Sequence, residues 1–414
     1  MKLSEELSWR GFINQSTFRD IDELDRTKQV LYLGFDPSAD SLTVGNLAPL
    51  IMVDHFLKAG HKVFLLIGGA TGLIGDPDGL SKKRELKDME VISQYRQKIK
   101  LQLKKLFEDR VTIVDNYDWF KDIRFIDFLR DFGYFIPLRT MLSREFVQSR
   151  INDQNNGLSY AEFSYSLIQG YDFYYLNHKY AVNLQLAGAD QWGNAIAGVD
   201  IIRRVAQKEV NVLTMPLIIN KATGVKFGKS EDGAIWLDSQ KTSITKFYQF
   251  WINVDDLNVL DYLKIYTFIT KEEFDQLLKQ FKKDPASRLA QRTLANLITT
   301  YLYGSEKALI AQNVTDYLTN KKDISLINQQ TLTELQNEIG SIQINHQIKT
   351  IDLLVEIGFC KSKAEARKLI QDGGVYLNNN RFNHDHLGPE DFSGKYALIR
   401  KGKSLNESFL IYTK

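Results

Sequence analysis

The sequence is poor in the features that mark several large classes of protein. Cys360 is the only cysteine, which excludes an internal disulfide and a thiolate metal cluster and fits a reducing compartment. The six histidines are scattered, apart from His384 and His386, so no protein-bound metal is expected. No Gly-x-Ser-x-Gly nucleophile motif is present, and covalent catalysis is therefore not expected.

Long apolar runs and net charge are also lacking. No uncharged apolar run reaches the length of a membrane-spanning helix, and the stretch from Met1 to Glu6 is acidic and amphipathic. These features predict a cytoplasmic protein without a membrane partner. The formal net charge is only +2, so a nucleic acid would have to bind through a local basic patch.

The remaining composition is that of an ordinary globular protein with several domains. Of the 414 residues, 43% are hydrophobic and 25% are charged, which is usual for a folded chain. A chain of this length exceeds the size at which one core stops growing, so two or three domains are expected.

The stretch from Leu31 to Leu47 carries the clearest local pattern. It opens as an apolar strand, breaks at Asp36-Pro37-Ser38 and resumes at Gly45 as a helix. A loop between the carboxyl end of a strand and a helix directs N–H groups and a positive dipole end at a ligand, which favours anions. Gly45 leaves room for a base or phosphate near the backbone. An ordinary strand-to-helix connection is the alternative interpretation.

Strand and helix signals alternate through the first half of the chain. Apolar runs at 31–35, 62–67, 111–114 and 182–186 predict strands, and helical segments lie between them. Alternating elements of these lengths predict an α/β fold with a doubly wound parallel sheet. After about Thr242 the pattern is helical, and the polar segment near 320–345 is interpreted as a linker with some helix.

The C-terminal stretch predicts a helix with a basic face beside short strands. Ser362 and Glu365 have the spacing of a capping box, and strands are predicted at 375–377, 396–399 and 409–412. The basic side chains of the helix and of the loop between the last two strands are Lys361, Lys363, Arg367, Lys368, Arg400, Lys401 and Lys403. They favour either phosphate binding or a solvated surface, and both interpretations stay open.

A polar stripe marks the helix predicted from about residue 159 to 175. Tyr165, Gln169 and Asp172 stand at i, i+4 and i+7, so they share one face. Such a stripe is usually the solvated side of an amphipathic helix. A tyrosine beside a buried-looking Tyr-Asp-Phe sequence is unusual on a solvated face, and this set suits directional hydrogen bonds to an ammonium or a phenol.

The segment from Lys226 to Ser230 nearly matches the glycine-rich phosphate loop of nucleotide hydrolases. The outer glycine of that motif would fall on Thr223, and the following residues indicate a strand instead of a helix, so spacing and context both fail. Lys226 and Lys229 on a glycine-containing loop can still hold a polyphosphate as mobile charges. A solvated basic turn is the alternative.

Taken together, these residues resemble bacterial-type tyrosyl-tRNA synthetases, in order and at the spacings of the family. The motifs that carry the resemblance are Gly34 to Pro37, Gly68 to Pro77, Asn116 to Trp119, Phe163 to Tyr165 with Gln169 and Asp172, Gly188 to Asn194, and Lys226 to Ser230. The C-terminal stretch resembles the S4-type RNA-binding domain that such enzymes carry. The resemblance covers essentially the whole chain.

The resemblance implies a class I synthetase that works as a homodimer on L-tyrosine, tRNA(Tyr) and ATP with Mg²⁺. It would form tyrosyl-adenylate and pyrophosphate, and then transfer tyrosine to the 3′ end of the tRNA. The implied domains are a Rossmann-like catalytic domain over 1–220, a connection with a KMSKS-type lysine loop over 221–242, an α-helical domain over 243–319, a linker over 320–347 and a small α+β S4-like RNA-binding domain over 348–414.

By position, the resemblance also implies roles for individual residues. Those expected around tyrosine are Tyr32 and Asp172 at the phenol oxygen, Asp76, Tyr165 and Gln169 at the ammonium, and Asn116 and Gln191 elsewhere in the pocket. Those expected around ATP are Gly34, Asp36, Ser38, Gly45, Gly188, Lys229 and, on the ribose, Asp190. The implied catalytic set is Lys226 and Lys229 on the pyrophosphate, with Thr43, Asn46 and Arg84.

The sequence departs from the family pattern at two places. The signature loop of the family begins with histidine, whereas Thr43 here offers a shorter, neutral hydroxyl in place of a donor to the γ-phosphate. Leu80 stands where a lysine is common, although Lys82, Lys83 and Arg84 lie close in sequence. Both changes predict an active enzyme with slower adenylate formation or weaker ATP binding.

Two other hypotheses remain. Thr43 favours a protein that keeps the synthetase fold and binds RNA but no longer catalyses, whereas the complete tyrosine pocket and both loop lysines stand against it. A phosphate-loop nucleotide hydrolase is the third hypothesis, which the failed motif spacing weakens.

Overall fold

The computed structural model of the chain describes residues 1–76, 87–136, 138–142, 145–151, 153, 157–225, 227, 229–230, 233–319, 321–344, 348–402 and 407–413. It divides into two compact units. The first contains Met1–Lys241 and Asp255–Pro285, and the second contains Thr242–Val254 and Ala286–Lys414.

The helices and strands are numbered separately in chain order. The strands are β1 (Val30–Phe35), β2 (Lys62–Ile67), β3 (Thr112–Asp115), β4 (Leu184–Gly188), β5 (Asn211–Met215), β6 (Lys229–Ser230), β7 (Gly233–Ala234), β8 (Ser341–Gln343), β9 (Val375–Leu377), β10 (Asn380–Arg381), β11 (Tyr396–Lys401) and β12 (Ser408–Tyr412). The helices are α1 (Leu3–Arg10), α2 (Glu23–Arg26), α3 (Val44–Lys58), α4 (Thr71–Ile74), α5 (Met89–Phe107), α6 (Tyr117–Phe120), α7 (Phe125–Asp131), α8 (Leu138–Leu142), α9 (Glu145–Arg150), α10 (Tyr160–Tyr180), α11 (Trp192–Val205), α12 (Ile244–Ile252), α13 (Asp256–Tyr266), α14 (Lys271–Lys283), α15 (Leu289–Tyr303), α16 (Ser305–Leu318), α17 (Gln329–Ile339), α18 (Thr350–Glu356) and α19 (Lys363–Gln371).

A five-stranded parallel sheet forms the centre of the first unit, in the order β3-β2-β1-β4-β5. The interior residues of β2 are buried, as expected for a strand covered on both faces. The strand order reverses between β1 and β4, which opens a crevice at their carboxyl ends. The predicted Rossmann-like sheet is confirmed. Strand β5 is absent from the sequence-based predictions because its five residues include two polar ones and give no clear period.

Helix α10 contributes Tyr165, Gln169 and Asp172 to this crevice and starts at a complete capping box. The Ser159 hydroxyl accepts a hydrogen bond from the Glu162 amide at 3.2 Å, and the Ser159 amide donates to the Glu162 carboxylate at 3.0 Å. The helix continues to Tyr180, beyond the predicted end near Tyr175, and Ala181 then takes a left-handed conformation.

The segment predicted as one helical domain, 243–319, is divided between the two units. Helices α13 and α14 belong to the first unit, whereas α12, α15 and α16 belong to the second. One physical reason is the buried Arg10 of α1, whose guanidinium donates to the carbonyl oxygens of Lys264, Thr267 and Ile269 at 2.7–2.9 Å. These bonds hold the end of α13 against α1 of the first unit.

The second unit ends in a small sheet with the order β10-β9-β11-β12-β8. Its core includes Leu353 and Leu354 of α18, Ala366 of α19, and Ile399 and Ile411 of the sheet. The predicted small α+β module is confirmed. The predicted linker over 320–347 contains α17 and β8, and β8 pairs in parallel with β12 as part of this sheet. In the part of the chain that is described, no helix is both long and apolar enough to cross a membrane.

Candidate active site

A cavity of about 310 Å³ lies in the crevice at the carboxyl ends of β1 and β4. The predicted site residues that line it are Tyr32, Gly34, Asp36, Ser38, Gly45, Asn46, Asp76, Tyr165, Gln169, Asp172, Gly188, Asp190 and Gln191. The structure therefore brings these thirteen residues, expected around tyrosine and ATP or in the catalytic set, to one cavity. Tyr165 and Asp172 are 4% and 1% exposed, so the polar stripe of α10 is not a solvated face.

Asp172 is a carboxyl group held by two donors. Asn116 Nδ2 donates to one carboxylate oxygen at 3.0 Å, and Trp119 Nε1 donates to the other at 2.9 Å. Burial raises the pKa of Asp172 well above its ordinary value, and the two donors oppose that shift. Asn116 is fully buried and is not among the residues that line the cavity, so it acts on the pocket through Asp172.

Strands β1 and β4 place two further buried polar atoms near Asp172. The Tyr32 hydroxyl and Gln185 Oε1 have no hydrogen-bond partner within the described chain, and the two residues are register partners on β1 and β4. Burial and the nearby Asp172 carboxylate raise the pKa of the Tyr32 hydroxyl well above its usual value. The hydroxyl therefore stays protonated, and a ligand with a polar end would relieve the cost of burying these atoms.

The next part of the wall is a hydrogen-bonded group around Asp36. Thr71 Oγ1 lies 2.6 Å from Asp36 Oδ1, and the Tyr165 hydroxyl lies 2.7 Å from Asp36 Oδ2. Burial and the carboxylates of Asp36 and Asp76 raise the pKa of Tyr165 well above its usual value. Asp76 accepts a hydrogen bond from the side-chain amide of Gln191. Several anionic groups thus face one small volume, which favours a cation.

The other side of the cavity is shaped by glycines. A Cβ at Gly34 would meet only Leu66, at 3.9 Å, so the missing side chain leaves open space. A Cβ at Gly188 would lie 2.5 Å from Asp190 Oδ1, so glycine is needed for that carboxylate to approach the strand end. Both features suit a flat base and a ribose hydroxyl beside the backbone.

Helix α3 begins at this side of the cavity. The Thr43 amide and hydroxyl both lie near Asn46 Oδ1, at 2.9 Å and 3.1 Å. The segment after the lysine loop pairs with the start of this helix, because the Val44 amide donates to the Ile235 carbonyl at 3.0 Å and the Leu237 amide donates to the Leu42 carbonyl at 2.8 Å. Residues 42–44 and 235–237 are therefore fixed to each other.

The predicted catalytic lysines can be followed only in part. Lys229 lies in β6, which pairs with β7 in a hairpin, and its side chain is not described. In the described part of this segment the loop leads into β7 instead of opening a helix, in agreement with the failed context of a phosphate loop. Residues outside the described part of the chain include Lys226 and Arg84, together with Leu80, Lys82 and Lys83.

Five of the predicted RNA-binding residues lie on α19 and β11 in the second unit, and Lys361 precedes α19. Lys363 forms an ion pair with Asp352 at 2.7 Å, and Lys401 Nζ donates to the Phe359 carbonyl at 2.9 Å. Ser362 caps α19, but Glu365 returns its bond to the Lys361 amide rather than to Ser362. The remaining predicted contacts are Arg367 and Lys368, which are exposed, and Arg400, whose guanidinium lies over the Tyr376 ring. Lys403 lies outside the described residues.

Three residues of the cavity region are missing from the sequence-based predictions. Thr71 links Asp36 to Asn116, Trp119 holds Asp172, and Gln185 contributes the buried oxygen beside Tyr32. Only Gln185 gives a local signal, because it is a polar residue inside an otherwise apolar strand. Across the described residues, no group of three or more His, Cys, Asp or Glu side chains is arranged to hold a metal ion.

The parallel sheet and the cavity at its switch point agree with comparisons to known proteins. Residues 25–319 match the family model described as tRNA synthetases class I (W and Y), so the chain is a class I aminoacyl-tRNA synthetase. Residues 331–407 match the tyrosine–tRNA ligase SYY-like C-terminal domain. The tyrosine–tRNA ligases of Levilactobacillus brevis and Streptococcus mutans are each 41% identical to this chain in alignments 416 positions long, which cover 97% of this chain and 98% of each relative.

Within that class, the chain belongs to the family of tyrosyl-tRNA synthetases. The members of this family are aminoacyl-tRNA ligases. A C-terminally truncated mitochondrial tyrosyl-tRNA synthetase from Aspergillus nidulans superposes with a TM-score of 0.69 at 29% identity, over 77% of this chain and 94% of that one. The resemblance found in the sequence is therefore confirmed, and membership of this class implies the use of ATP.

Proposed function

We propose that this chain activates L-tyrosine with MgATP to form tyrosyl-adenylate and pyrophosphate, and then transfers tyrosine to the 3′ end of tRNA(Tyr). One observation carries the choice of tyrosine. The Tyr32 hydroxyl has no hydrogen-bond partner among the described residues. The buried Asp172 carboxylate is close enough to raise the pKa of this hydroxyl. A phenol bound between them gives Tyr32 an acceptor and Asp172 a donor.

Discrimination against phenylalanine follows from the same two residues. Phenylalanine has no hydroxyl, so binding it would leave the Tyr32 hydroxyl without a partner and would deny the buried Asp172 carboxylate the phenol donor, with water excluded from both. An unmet buried group costs about 1–3 kcal/mol, and more when it is charged. The site thus rejects the smaller side chain through lost hydrogen bonds instead of through steric exclusion.

The ammonium of the substrate is proposed to lie among Asp76, Tyr165 and Gln169. The carboxylate of Asp76 and the oxygens of Tyr165 and Gln169 are all cavity-lining acceptors. Gln191 donates to Asp76 and also accepts from Asn194 at 3.2 Å, which fixes the direction of its amide. This arrangement holds the amino acid at both ends and leaves its carboxylate toward the nucleotide side.

ATP is proposed to bind along Gly34, Gly45 and Gly188, with its ribose on Asp190. Magnesium would be held mainly by the ATP phosphates, as is usual for this ion, and would neutralise part of their charge. The tyrosine carboxylate oxygen attacks the α-phosphorus in line, the bond to the bridging oxygen breaks, and pyrophosphate leaves. The roles of Lys226, Lys229 and Arg84 on the phosphates stay predictions from the family resemblance.

We also propose a homodimer in the cytoplasm that binds tRNA through the second unit. Support for the dimer comes from the segment over 125–160 of the first unit, where large apolar side chains are more than half exposed. They are Phe125, Ile126, Tyr134, Leu138 and Tyr160. So many exposed apolar residues in one stretch are typical of an association surface.

Exchange of labelled pyrophosphate into ATP, without tRNA, tests the first step. Exchange with L-tyrosine and none with L-phenylalanine is expected, and Tyr32→Phe should raise the KM for tyrosine with a smaller change in the KM for ATP. A protein that binds tyrosine and tRNA(Tyr) but supports no exchange would contradict the activation step. That outcome would favour an RNA-binding protein that keeps the fold without catalysis.

A further inference from the structure

The hydrogen bonds behind the tyrosine pocket form a chain whose donor directions can be worked out atom by atom. It begins at the Ala70 amide, which donates to Asn116 Oδ1 at 2.6 Å. An amide N–H can only donate, so this bond fixes the orientation of the Asn116 side chain. Asn116 Nδ2 consequently faces the other way and donates to Asp172 at 3.0 Å and to Thr71 Oγ1 at 3.1 Å.

The next hydrogen bond in the chain is the one that the Thr71 hydroxyl donates to Asp36. Because the Thr71 oxygen accepts from Asn116, its own proton is directed at Asp36 Oδ1, at 2.6 Å. The second carboxylate oxygen of Asp36 lies 2.7 Å from the Tyr165 hydroxyl, and an ionised carboxylate can only accept. The Tyr165 proton is therefore directed at Asp36, and its lone pairs remain available for the cavity.

The backbone beside this group is built to allow the contact. A Cβ at Gly68 would lie 2.1 Å from Asp36 Oδ1 and 2.3 Å from Thr71 Oγ1, which is far inside van der Waals contact. Only glycine leaves room for the hydroxyl and the carboxylate to meet here. Thr71 is itself buried, at 3% exposure, so water does not readily replace its hydroxyl.

We propose that Thr71 is a positioning residue of the tyrosine site. Its hydroxyl orients Asp36, which in turn holds the Tyr165 hydroxyl as a hydrogen-bond acceptor for the ammonium of the substrate. At the phenol end, Asn116 is held by the Ala70 amide and Asp172 by Trp119, so the effect of Thr71 falls on the ammonium subsite. This inference rests on the proposed placement of the ammonium at Tyr165.

The test compares Thr71→Val, which removes the hydroxyl at nearly constant shape, with Thr71→Ser, which keeps it. Equilibrium binding is measured for L-tyrosine and for 3-(4-hydroxyphenyl)propanoate, which has the same phenol and carboxylate but no ammonium. Thr71→Val is expected to weaken tyrosine binding about 3- to 10-fold, the usual effect of one hydrogen bond, and to leave the des-amino ligand within twofold. Thr71→Ser should retain most of the preference for tyrosine.

The proposal would be overturned if Thr71→Val weakened the binding of both ligands equally, or if it changed the binding of neither. So would a serine variant that behaves like the valine variant. In a Tyr165→Phe background, Thr71→Val should cause no further loss of preference, because the acceptor is already gone. Thr71→Ala serves the same comparison if the valine methyl against Asp36 prevents folding.

The proposed function and the positioning role fail in different ways. Absence of pyrophosphate exchange with intact tyrosine binding would contradict the activation step, while the binding comparison would still report on Thr71. If pyrophosphate exchange is intact but Thr71→Val affects the binding of the two ligands equally, only the positioning role of Thr71 is contradicted. A kinetic readout adds to this, because the KM for tyrosine should rise more than kcat falls.

Discussion

At the scale of single residues, Thr43 shows how the phosphate side of the site differs from the family pattern. Its amide and hydroxyl both lie near Asn46 Oδ1, so the Asn46 side chain holds Thr43 at the start of α3. A hydroxyl that donates to Asn46 is not directed at a γ-phosphate. The start of α3 is thus well anchored but lacks the cationic or neutral imidazole donor that the family places there.

We expect Thr43→His to accelerate tyrosine activation. A new donor to a phosphate oxygen that strengthens in the transition state is worth about 1.5 kcal/mol, which is about tenfold in rate. Pre-steady-state formation of tyrosyl-adenylate measures the rate, with Thr43→Ser as the matched control that keeps a hydroxyl. No gain in the histidine variant would mean that other residues already compensate for the missing imidazole.

A second residue-scale prediction concerns His61 and acid stability. His61 is buried, its Nδ1 accepts a hydrogen bond from the Gln29 amide at 2.9 Å, and burial lowers the pKa of His61 to about 4. The unfolded chain binds the proton near pH 6.5, so the free energy of unfolding is fully retained above that pH and falls as the pH drops toward 4. The loss expected from this group at pH 5 is about 2 kcal/mol.

Urea unfolding at pH 5 and pH 7.5 measures this effect. His61→Gln should be less stable than the parent at pH 7.5, because the Gln29 contact is altered, but it should lose less stability on acidification. His384→Gln is the control, since the His384 side chain is exposed. An unchanged pH dependence in His61→Gln would assign the acid sensitivity to other groups.

The sequence predicts the roles of some site residues and not of others. Tyr165 and Asp172 follow from helical spacing, and the cavity confirms that they share one wall. Thr71 and Trp119 do not follow, because their roles depend on contacts with residues 35 and 53 positions away along the chain. Local periodicity carries no information about such long-range pairs.

At the scale of elements, helix α19 shows that a basic face is not uniformly available. Lys363 of α19 forms an ion pair with Asp352 of α18. No ion pair of Lys368 is found among the described residues. An exposed ion pair adds little stability, but it reduces the net positive charge offered to RNA. The basic residues predicted from sequence as one group therefore divide into compensated and uncompensated charges.

We expect Lys368→Gln to weaken tRNA binding more than Lys363→Gln does. Loss of one phosphate contact should lower the slope of log affinity against log salt by about 0.7–0.9. Filter binding over a range of salt concentrations measures both effects, and tyrosine-dependent exchange without tRNA is the control that neither variant should change. Equal losses in the two variants would show that the pair with Asp352 opens when RNA binds.

Elements also separate the predictable part of the fold from the rest. Strands β1, β2, β3 and β4 follow from apolar runs, whereas β5 and β8 include polar residues and are set by pairing with the strands beside them. The assignment of α13 and α14 to the first unit depends on contacts such as those of Arg10, which no local pattern in the sequence reveals.

At the scale of the whole molecule, the proposed homodimer rests on the exposed apolar side chains over 125–160. Ile126→Glu is expected to give a monomer, because it places a charge among them, and sedimentation equilibrium measures the mass. Leu326→Glu is the matched control, since Leu326 is exposed in the second unit without such neighbours in sequence. A parent chain that sediments as a monomer, or a dimeric Ile126→Glu variant, would contradict this surface.

The pairing of β8 with β12 has a consequence for where the chain can be cut. Strand β8 precedes the predicted start of the RNA-binding domain at 348, yet Leu410 and Tyr412 are register partners of Ser341 and Gln343. A fragment that starts at 348 would expose the backbone edge of β12, which is a template for strands of other copies. We expect that fragment to aggregate in light scattering, whereas one that starts at 329 carries its own protective strand and should remain soluble.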